Sequence, residues 1–360
     1  MFYLLGEPGY SSSNWYKHIL DGIITEKRTK RFNVVMLNSI LELENFAPKR
    51  DDAILLVGSN LNWLESVIDI CIDNFGKNII VLGNFENLLK GKNYSIVSSD
   101  ISTDIYNLYA YLLSYGKTRI ALYGVNPNSA SDEYRKNCFI KYHGNNKNIY
   151  FNNANLKECY KNFVSDIHMY DGVICTNDYC AISLVKSLQS DNIKIPFIVS
   201  CGETKLAKTF KPSITNLRTR YKDFGKTAIK VYKTLQKDIP VSNIKIELES
   251  HIITGDSTEN LPVLQTKIDT IPLPITHSDD SFYSDSEVKE MIRVENLLNH
   301  CDQIEVDMLY SLIEGINYFK LAEKHHMSVN GAKYKLRKLF DLCNVNSKSE
   351  FVELIKKYIH

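Results

Sequence analysis

Runs of apolar residues of strand length recur through the front of this sequence: Phe2–Leu5, Val34–Leu37, Ala53–Val57, Ile79–Leu82, Ile120–Tyr123, Gly172–Cys175 and Pro196–Ser200. Between most of them lie stretches with helical spacing, such as Ile19, Ile23 and Ile24, then Leu108, Tyr111, Leu112 and Tyr115, then Ile182, Val185 and Leu188. A strand with one wet face alternates polar and apolar residues, whereas a strand covered on both faces is apolar throughout. Apolar strands alternating with amphipathic helices therefore predict an α/β fold with parallel sheets over roughly residues 1–255. At 360 residues the chain is also too long for one ordinary core, so more than one unit is expected.

The pattern changes after Thr254. Pro262, Pro272 and Pro274, followed by Thr-His-Ser-Asp-Asp-Ser, mark residues 256–285 as a linker. Ser286 can cap a helix that carries Val288, Met291, Ile292, Glu295 and Leu298 on one face. Asp302-Gln303-Ile304-Glu305 fits a capping box, and Met308, Leu309, Leu312 and Ile313 follow at helical spacing up to Gly315. Asn317 can cap a helix with Phe319, Leu321 and Ala322. A longer helix is expected from Val329 to about Leu342, and a last one from Ser347 to Ile359. Residues 286–360 are thus expected to form a small all-α domain.

Charge and motifs narrow the function. Lys and Arg number 43 against 42 Asp and Glu, a formal charge of +1. That balance hides a basic segment: Tyr318–Phe340 holds Lys320, Lys324, Lys333, Lys335, Arg337 and Lys338 against Glu323 alone, a local charge of +5. No apolar run reaches the ~18 residues needed to span a bilayer, and no basic stretch precedes Phe2 as in a signal peptide. No membrane association and a cytoplasmic location are expected. The eight cysteines contain no Cys-x-x-Cys pair, which fits reduced, buried thiols. Gly116-Lys117-Thr118 and Gly225-Lys226-Thr227 look like P-loop ends, but Tyr111 and Arg220 stand where the first glycine is needed. His325 and His326 are adjacent and point different ways, so no metal site is expected there. The sequence supports no catalytic residues, metal or cofactor, and so no enzyme.

Five segments carry a resemblance: Tyr10-Ser-Ser-Ser-Asn14-Trp15-Tyr16, Asp100 after Ile-Val-Ser-Ser, Ser129-Ala-Ser-Asp-Glu-Tyr-Arg135, Ile174-Cys-Thr-Asn177-Asp178, and Pro212 to Gly225. In order and spacing they resemble the effector-binding half of LacI/GalR-type regulators, which share the periplasmic-binding-protein fold. The resemblance implies two lobes joined by three crossings, near Ser99, Arg218 and Glu249. Lobe one would be about 1–98 and 222–248, lobe two about 99–219 and 250–256. It also implies a small molecule in the cleft between them, of sugar or nucleoside class. The implied ligand contacts are Trp15, Tyr16, Arg135 and Asn177; Asp100 either accepts from the ligand or caps the helix that follows it, and Asp178 reads as a helix cap. Where the family carries a sugar-binding aspartate this chain has Gly202, and Glu203 is expected to substitute in part. The short stretch between Val34 and Ala53 implies a trimmed helix.

The tail, from Glu305 through Glu314-Gly315, Leu321-Ala322-Glu323 and Arg337-Lys338-Leu339 to Glu350-Phe351, resembles the LuxR/GerE-type helix-turn-helix. The scaffold helix would be about Tyr318–His325 and the recognition helix about Asn330–Asp341. Lys320, Asn330, Lys333, Lys335, Arg337 and Lys338 are the implied DNA contacts. The expected function is a ligand-responsive DNA-binding transcription regulator that works as a homodimer. The rival reading is a cytoplasmic small-molecule sensor whose helical tail binds a protein. A transport-type binding protein is disfavoured by the missing signal peptide.

Overall fold

The structure, a computed structural model, describes all residues except 11–12, 31, 47, 50, 76–77, 85–91, 145, 154, 238–240, 259–281, 283–284 and 360. Most of the expected linker lies outside the described residues.

Lobe one opens with β1 (Phe2–Gly6), α1 (Asn14–Lys30), β2 (Val34–Leu37), β3 (Ala53–Val57), α2 (Leu61–Phe75), β4 (Asn78–Leu82) and β5 (Ser95–Ser99). The chain then crosses into lobe two. There it forms α3 (Ile101–Ser114), β6 (Ile120–Val125), α4 (Ala130–His143), β7 (Ile149–Phe151), α5 (Leu156–Val164), β8 (Gly172–Cys175), α6 (Asp178–Ser190), β9 (Phe197–Cys201), α7 (Lys205–Thr209) and β10 (Thr215–Arg218). It returns through α8 (Tyr221–Leu235) and β11 (Lys245–Leu248), then crosses once more to β12 (His251–Ile253). The two six-stranded sheets run β11-β5-β4-β3-β1-β2 and β12-β10-β9-β8-β6-β7. All described pairings are parallel except that of β10 with β12. The α/β class read from the apolar runs is therefore correct.

Both faces of each sheet are buried, as the apolar strands require. On β1, Tyr3 and Leu5 enter one apolar cluster while Phe2 and Leu4 enter the other. In the short stretch after β2 a 3-10 turn at Ile40–Phe46 stands in place of a helix, with Ile40 and Leu43 buried. Helices α1 and α8 cross on bare backbone: a Cβ on Gly22 would lie 2.0 Å from the Lys222 carbonyl oxygen, and one on Gly225 2.2 Å from that of Ile19. The glycine of the false P-loop at Gly225 thus serves helix contact. The cysteines are free thiols, all buried except the half-buried Cys301.

The C-terminal helices are α9 (Ser286–His300), α10 (Gln303–Ile313), α11 (Tyr318–Lys324), α12 (Val329–Leu342) and α13 (Lys348–Lys356). The capping box forms: Asp302 accepts from the Glu305 amide at 2.7 Å and Glu305 accepts from the Asp302 amide at 3.0 Å. The cap of α9 is Asp285 rather than the expected Ser286, because its carboxylate accepts from the Glu287 and Val288 amides. This unit does not stand apart. One apolar cluster runs from Phe163, Leu184 and Leu206 of lobe two through Val288, Met291 and Leu297 of α9 to Leu309, Leu336 and Phe351.

Candidate functional site

Strand ends from both lobes converge on a cleft with a cavity of about 140 Å3. That is well above the ~10–15 Å3 a cavity needs to admit one water, so several waters or a small molecule fit. In open parallel sheets the carboxyl ends of strands are where ligands bind, since the helix-starting loops there carry free amides and polar side chains. Asn14, Trp15 and His18 at the start of α1, with Ser59 after β3 and Asn84 after β4, form the lobe-one wall. Asn126, Ser129, Asp132 and Arg135 after β6, Thr176–Tyr179 after β8, and Cys201–Thr204 after β9 form the lobe-two wall. Tyr221 and Phe224 of α8 close one side, and Phe282 joins them from the C-terminal segment. Across the cleft, the Asn14 amide donates to the Tyr179 hydroxyl at 3.2 Å.

Arg135 lines this cavity, but it is not a free cation. Its guanidinium donates to Asp132 Oδ1 at 2.6 Å, and the side chains of the pair are 12% and 7% exposed. Asp132 Oδ2 in turn accepts from the Asn126 amide at 3.1 Å. Burial raises the Asp132 carboxyl above its ordinary range, and the Arg135 charge works against that rise.

Asn177 lines the cleft as expected, but it, not Asp178, is the cap of α6. Its side-chain oxygen accepts from the Cys180 amide at 3.0 Å. Asp178 is buried and accepts from the Ser200 hydroxyl, and from the Thr204 amide and hydroxyl, each at 2.8 Å. Glu203 lines the cleft and accepts from Arg218 Nε at 2.5 Å. Trp15 lines the cleft, with its ring 5.7 Å from that of Tyr10.

Tyr16 lies away from the cleft, and Asp100 takes the second of its two expected roles. Tyr16 is buried against Gly6, whose Cβ would stand 2.5 Å from the Tyr16 ring, so it is a packing residue. Asp100 caps α3, accepting from the Thr103 amide at 3.0 Å and its hydroxyl at 2.6 Å, and does not line the cavity. Asp132 and Tyr221 sat inside segments that carried the resemblance, yet nothing local marked them. His18 also escaped the sequence; burial lowers its pKa. The Ser59 hydroxyl, buried on the cleft wall, makes no hydrogen bond within the described residues.

In the C-terminal unit, Leu321 and Ala322 of α11 and Ala332, Leu336 and Leu339 of α12 point inward. Lys320, Asn330, Lys333, Arg337 and Lys338 are all exposed. Lys335 breaks the set. Its ammonium donates to Glu305 Oε1 at 3.0 Å and Asp302 Oδ2 at 3.3 Å, so it ties α12 to the start of α10 instead of facing out with the others. Phe319 and Tyr334 stand out on the same helices, 70% and 75% exposed.

Residues 109–258 match the periplasmic binding protein-like domain. The chain is 23% identical over 194 residues to the HTH-type transcriptional regulator pepR1 of Lactobacillus delbrueckii subsp. lactis, covering 51% of this chain and 56% of that one. This chain thus spans little more than half of that relative's length. It is 22% identical over 269 residues to the HTH-type transcriptional regulator RegA of Clostridium saccharobutylicum, covering 69% and 79%. Among solved structures, the LacI family transcriptional regulator CCPA from Weissella paramesenteroides with bound sucrose superposes with a TM-score of 0.59 at 18% identity, over 73% of this chain and 100% of that one. No helix among the described residues is long and apolar enough to cross a membrane. The cleft therefore lies between the lobes of a fold like that of the periplasmic binding proteins, part of which matches the periplasmic binding protein-like domain, and this chain continues from it into five further helices.

Proposed function

We propose that this chain is a ligand-responsive DNA-binding transcription regulator. Residues 1–255 hold the small molecule between two lobes, and residues 286–360 bind DNA through a helix-turn-helix of LuxR/GerE type. The observation that carries the reading is the outer face of α11 and α12. Lys320, Lys333, Arg337, Lys338 and Asn330 stand exposed there, while the opposite faces of both helices are apolar and packed. A helix that presents cations and an amide side by side suits a groove lined by phosphates and base edges. α12 serves as the recognition helix, Lys320 and Lys338 meet phosphates, and a homodimer reads paired half-sites. The ligand is of sugar class, in keeping with the sucrose named for the solved Weissella regulator. Trp15 and Tyr221 offer aromatic faces, and Asn14, Ser59, Asn126 and Asn177 offer hydrogen bonds.

The test is selection of duplexes from a random-sequence pool by the full chain, followed by a salt titration of the enriched duplex. Affinity should fall with log salt at about 0.9 per phosphate neutralised. Binding that is absent, or flat in salt, overturns the reading. Exposed Phe319 and Tyr334 favour a second reading, a protein-docking face. That reading gains if the basic face proves indifferent to DNA.

A further inference from the structure

We infer that the C-terminal unit supplies part of the cleft wall and senses lobe closure through α9. This rests on the effector-cleft reading above. Phe282 lies three residues ahead of the α9 cap, is 5% exposed, and lines the cavity that Asn14 and Tyr179 also line. A molecule filling the cleft therefore meets a side chain from the segment that leads into α9.

Behind Phe282, α9 is bolted to lobe two. Asp285 accepts from the Leu156 amide at 3.2 Å, and Glu287 accepts from the Ser183 hydroxyl at 3.0 Å. Glu295, an acid on an otherwise apolar face, takes the Lys205 and Leu206 amides at 2.9 and 2.6 Å. Those amides open α7, directly after the cleft residues Gly202–Thr204.

The adjoining residue, Asn296, faces the other lobe. Its side-chain oxygen accepts from Lys17 Nζ of α1 at 2.8 Å. Lys17 lies between Trp15 and His18, both on the cleft wall. α9 thus moves with lobe two and receives lobe one when the cleft narrows. Two rigid lobes that change their separation must make or break the Lys17–Asn296 contact. Anything in the cleft that favours closure favours that contact, and by linkage whatever holds α9 favours closure.

The test needs neither ligand nor operator. The chain has two tryptophans, so a Trp63→Phe background leaves Trp15 as a single reporter of the cleft. Acrylamide quenching of Trp15 is compared for that background and for Asn296→Lys and Asn296→Asp within it. Asn296→Lys repels Lys17 and should raise the quenching constant about two-fold, and Asn296→Asp should lower it, with the gap shrinking at high salt. Phe282→Ala should raise it whatever the salt. Amide hydrogen exchange over residues 13–18, in Asn296 variants that keep Trp63, reads the same opening and covers the case where Trp63→Phe disturbs the fold. Equal quenching and equal exchange in folded Asn296→Lys and Asn296→Asp overturn the inference. That outcome leaves the regulator reading standing, because DNA selection tests it separately.

Discussion

Asp178 and Gly202 compete for one volume: a Cβ on residue 202 would fall 2.5 Å from Asp178 Cγ. The Asp178 carboxylate cannot retreat, since Ser200 and Thr204 hold it in place. Glycine at 202 is therefore the partner of a buried aspartate at 178. An aspartate at residue 202, as the resemblance to LacI/GalR-type regulators leads one to expect, would set two carboxylates against each other.

Gly202→Ala should cost about 1–3 kcal/mol, read from urea unfolding, because overpacking a filled site forces neighbours off their preferred geometry. Gly202→Asp should cost more. Pairing Gly202→Ala with Asp178→Ser should recover part of the loss, since the clash goes with the carboxylate.

Arg135→Ala should destabilise the unliganded chain by about 3–5 kcal/mol, because it strands a buried carboxylate. The measurement is thermal or urea unfolding without ligand. Arg135→Ala combined with Asp132→Ala should be less destabilised than the sum of the two single changes. An unchanged melting point for Arg135→Ala would mean that the 2.6 Å pair contributes nothing to the empty state.

Asp104 sits where the lobes join, accepting from the Ser250 hydroxyl at 3.2 Å, while Ser250 also meets the Thr219 hydroxyl at 3.4 Å. Burial lifts its carboxyl to about 7, opposed by the Ser250 hydrogen bond and the Arg135 charge. Between its ordinary value of 3.8 and about 7, the folded chain keeps a proton that the unfolded chain has released. This contribution to stability is therefore present in full below about pH 4 and is lost as pH rises to about 7. Asp104→Asn should flatten that part of the stability–pH curve; two superimposable curves would remove Asp104 as its source.

Lys333→Ala should lower the log–log salt slope of DNA binding by about 1 while leaving unfolding unchanged. Lys335→Ala should do the reverse. It frees Asp302 and Glu305, loosens the start of α10, and lowers the melting point, with little change in slope. Equal slopes for the two variants would contradict the different surroundings of the two lysines.

What could be read in the sequence followed from local spacing. The apolar runs identified strands with both faces covered, and Asp302 with Glu305 predicted a capping box that forms. Strands β5, β7, β10, β11 and β12 escaped because they are short or polar, and pairing with neighbours distant in sequence makes them strands. The cap of α6 fell to Asn177 rather than Asp178 for a similar reason. Either can cap a helix, and only Ser200 at the end of β9 and Thr204 after it decide which is drawn inward. Lys335 looked like one more cation of a basic helix until Asp302, more than 30 positions away, came beside it. Phe282 carried no signal at all: an aromatic pair, Phe282 and Tyr283, in a polar stretch has no helical or strand spacing to place it, and Phe282 becomes a cleft wall only when α9 docks on lobe two.

The apolar cluster shared by lobe two and the C-terminal helices bears on how such a chain can be rebuilt. A tail joined by a tether alone could be exchanged like a cassette. Here an exchanged tail would have to bring its own counterparts of Val288, Met291 and Leu297, and of the Glu295 carboxylate that satisfies the α7 amides. A chimera cut inside the linker and given a foreign output module would leave α6 and α7 with bare apolar flanks, so the exchangeable boundary of this protein falls after α9 or not at all.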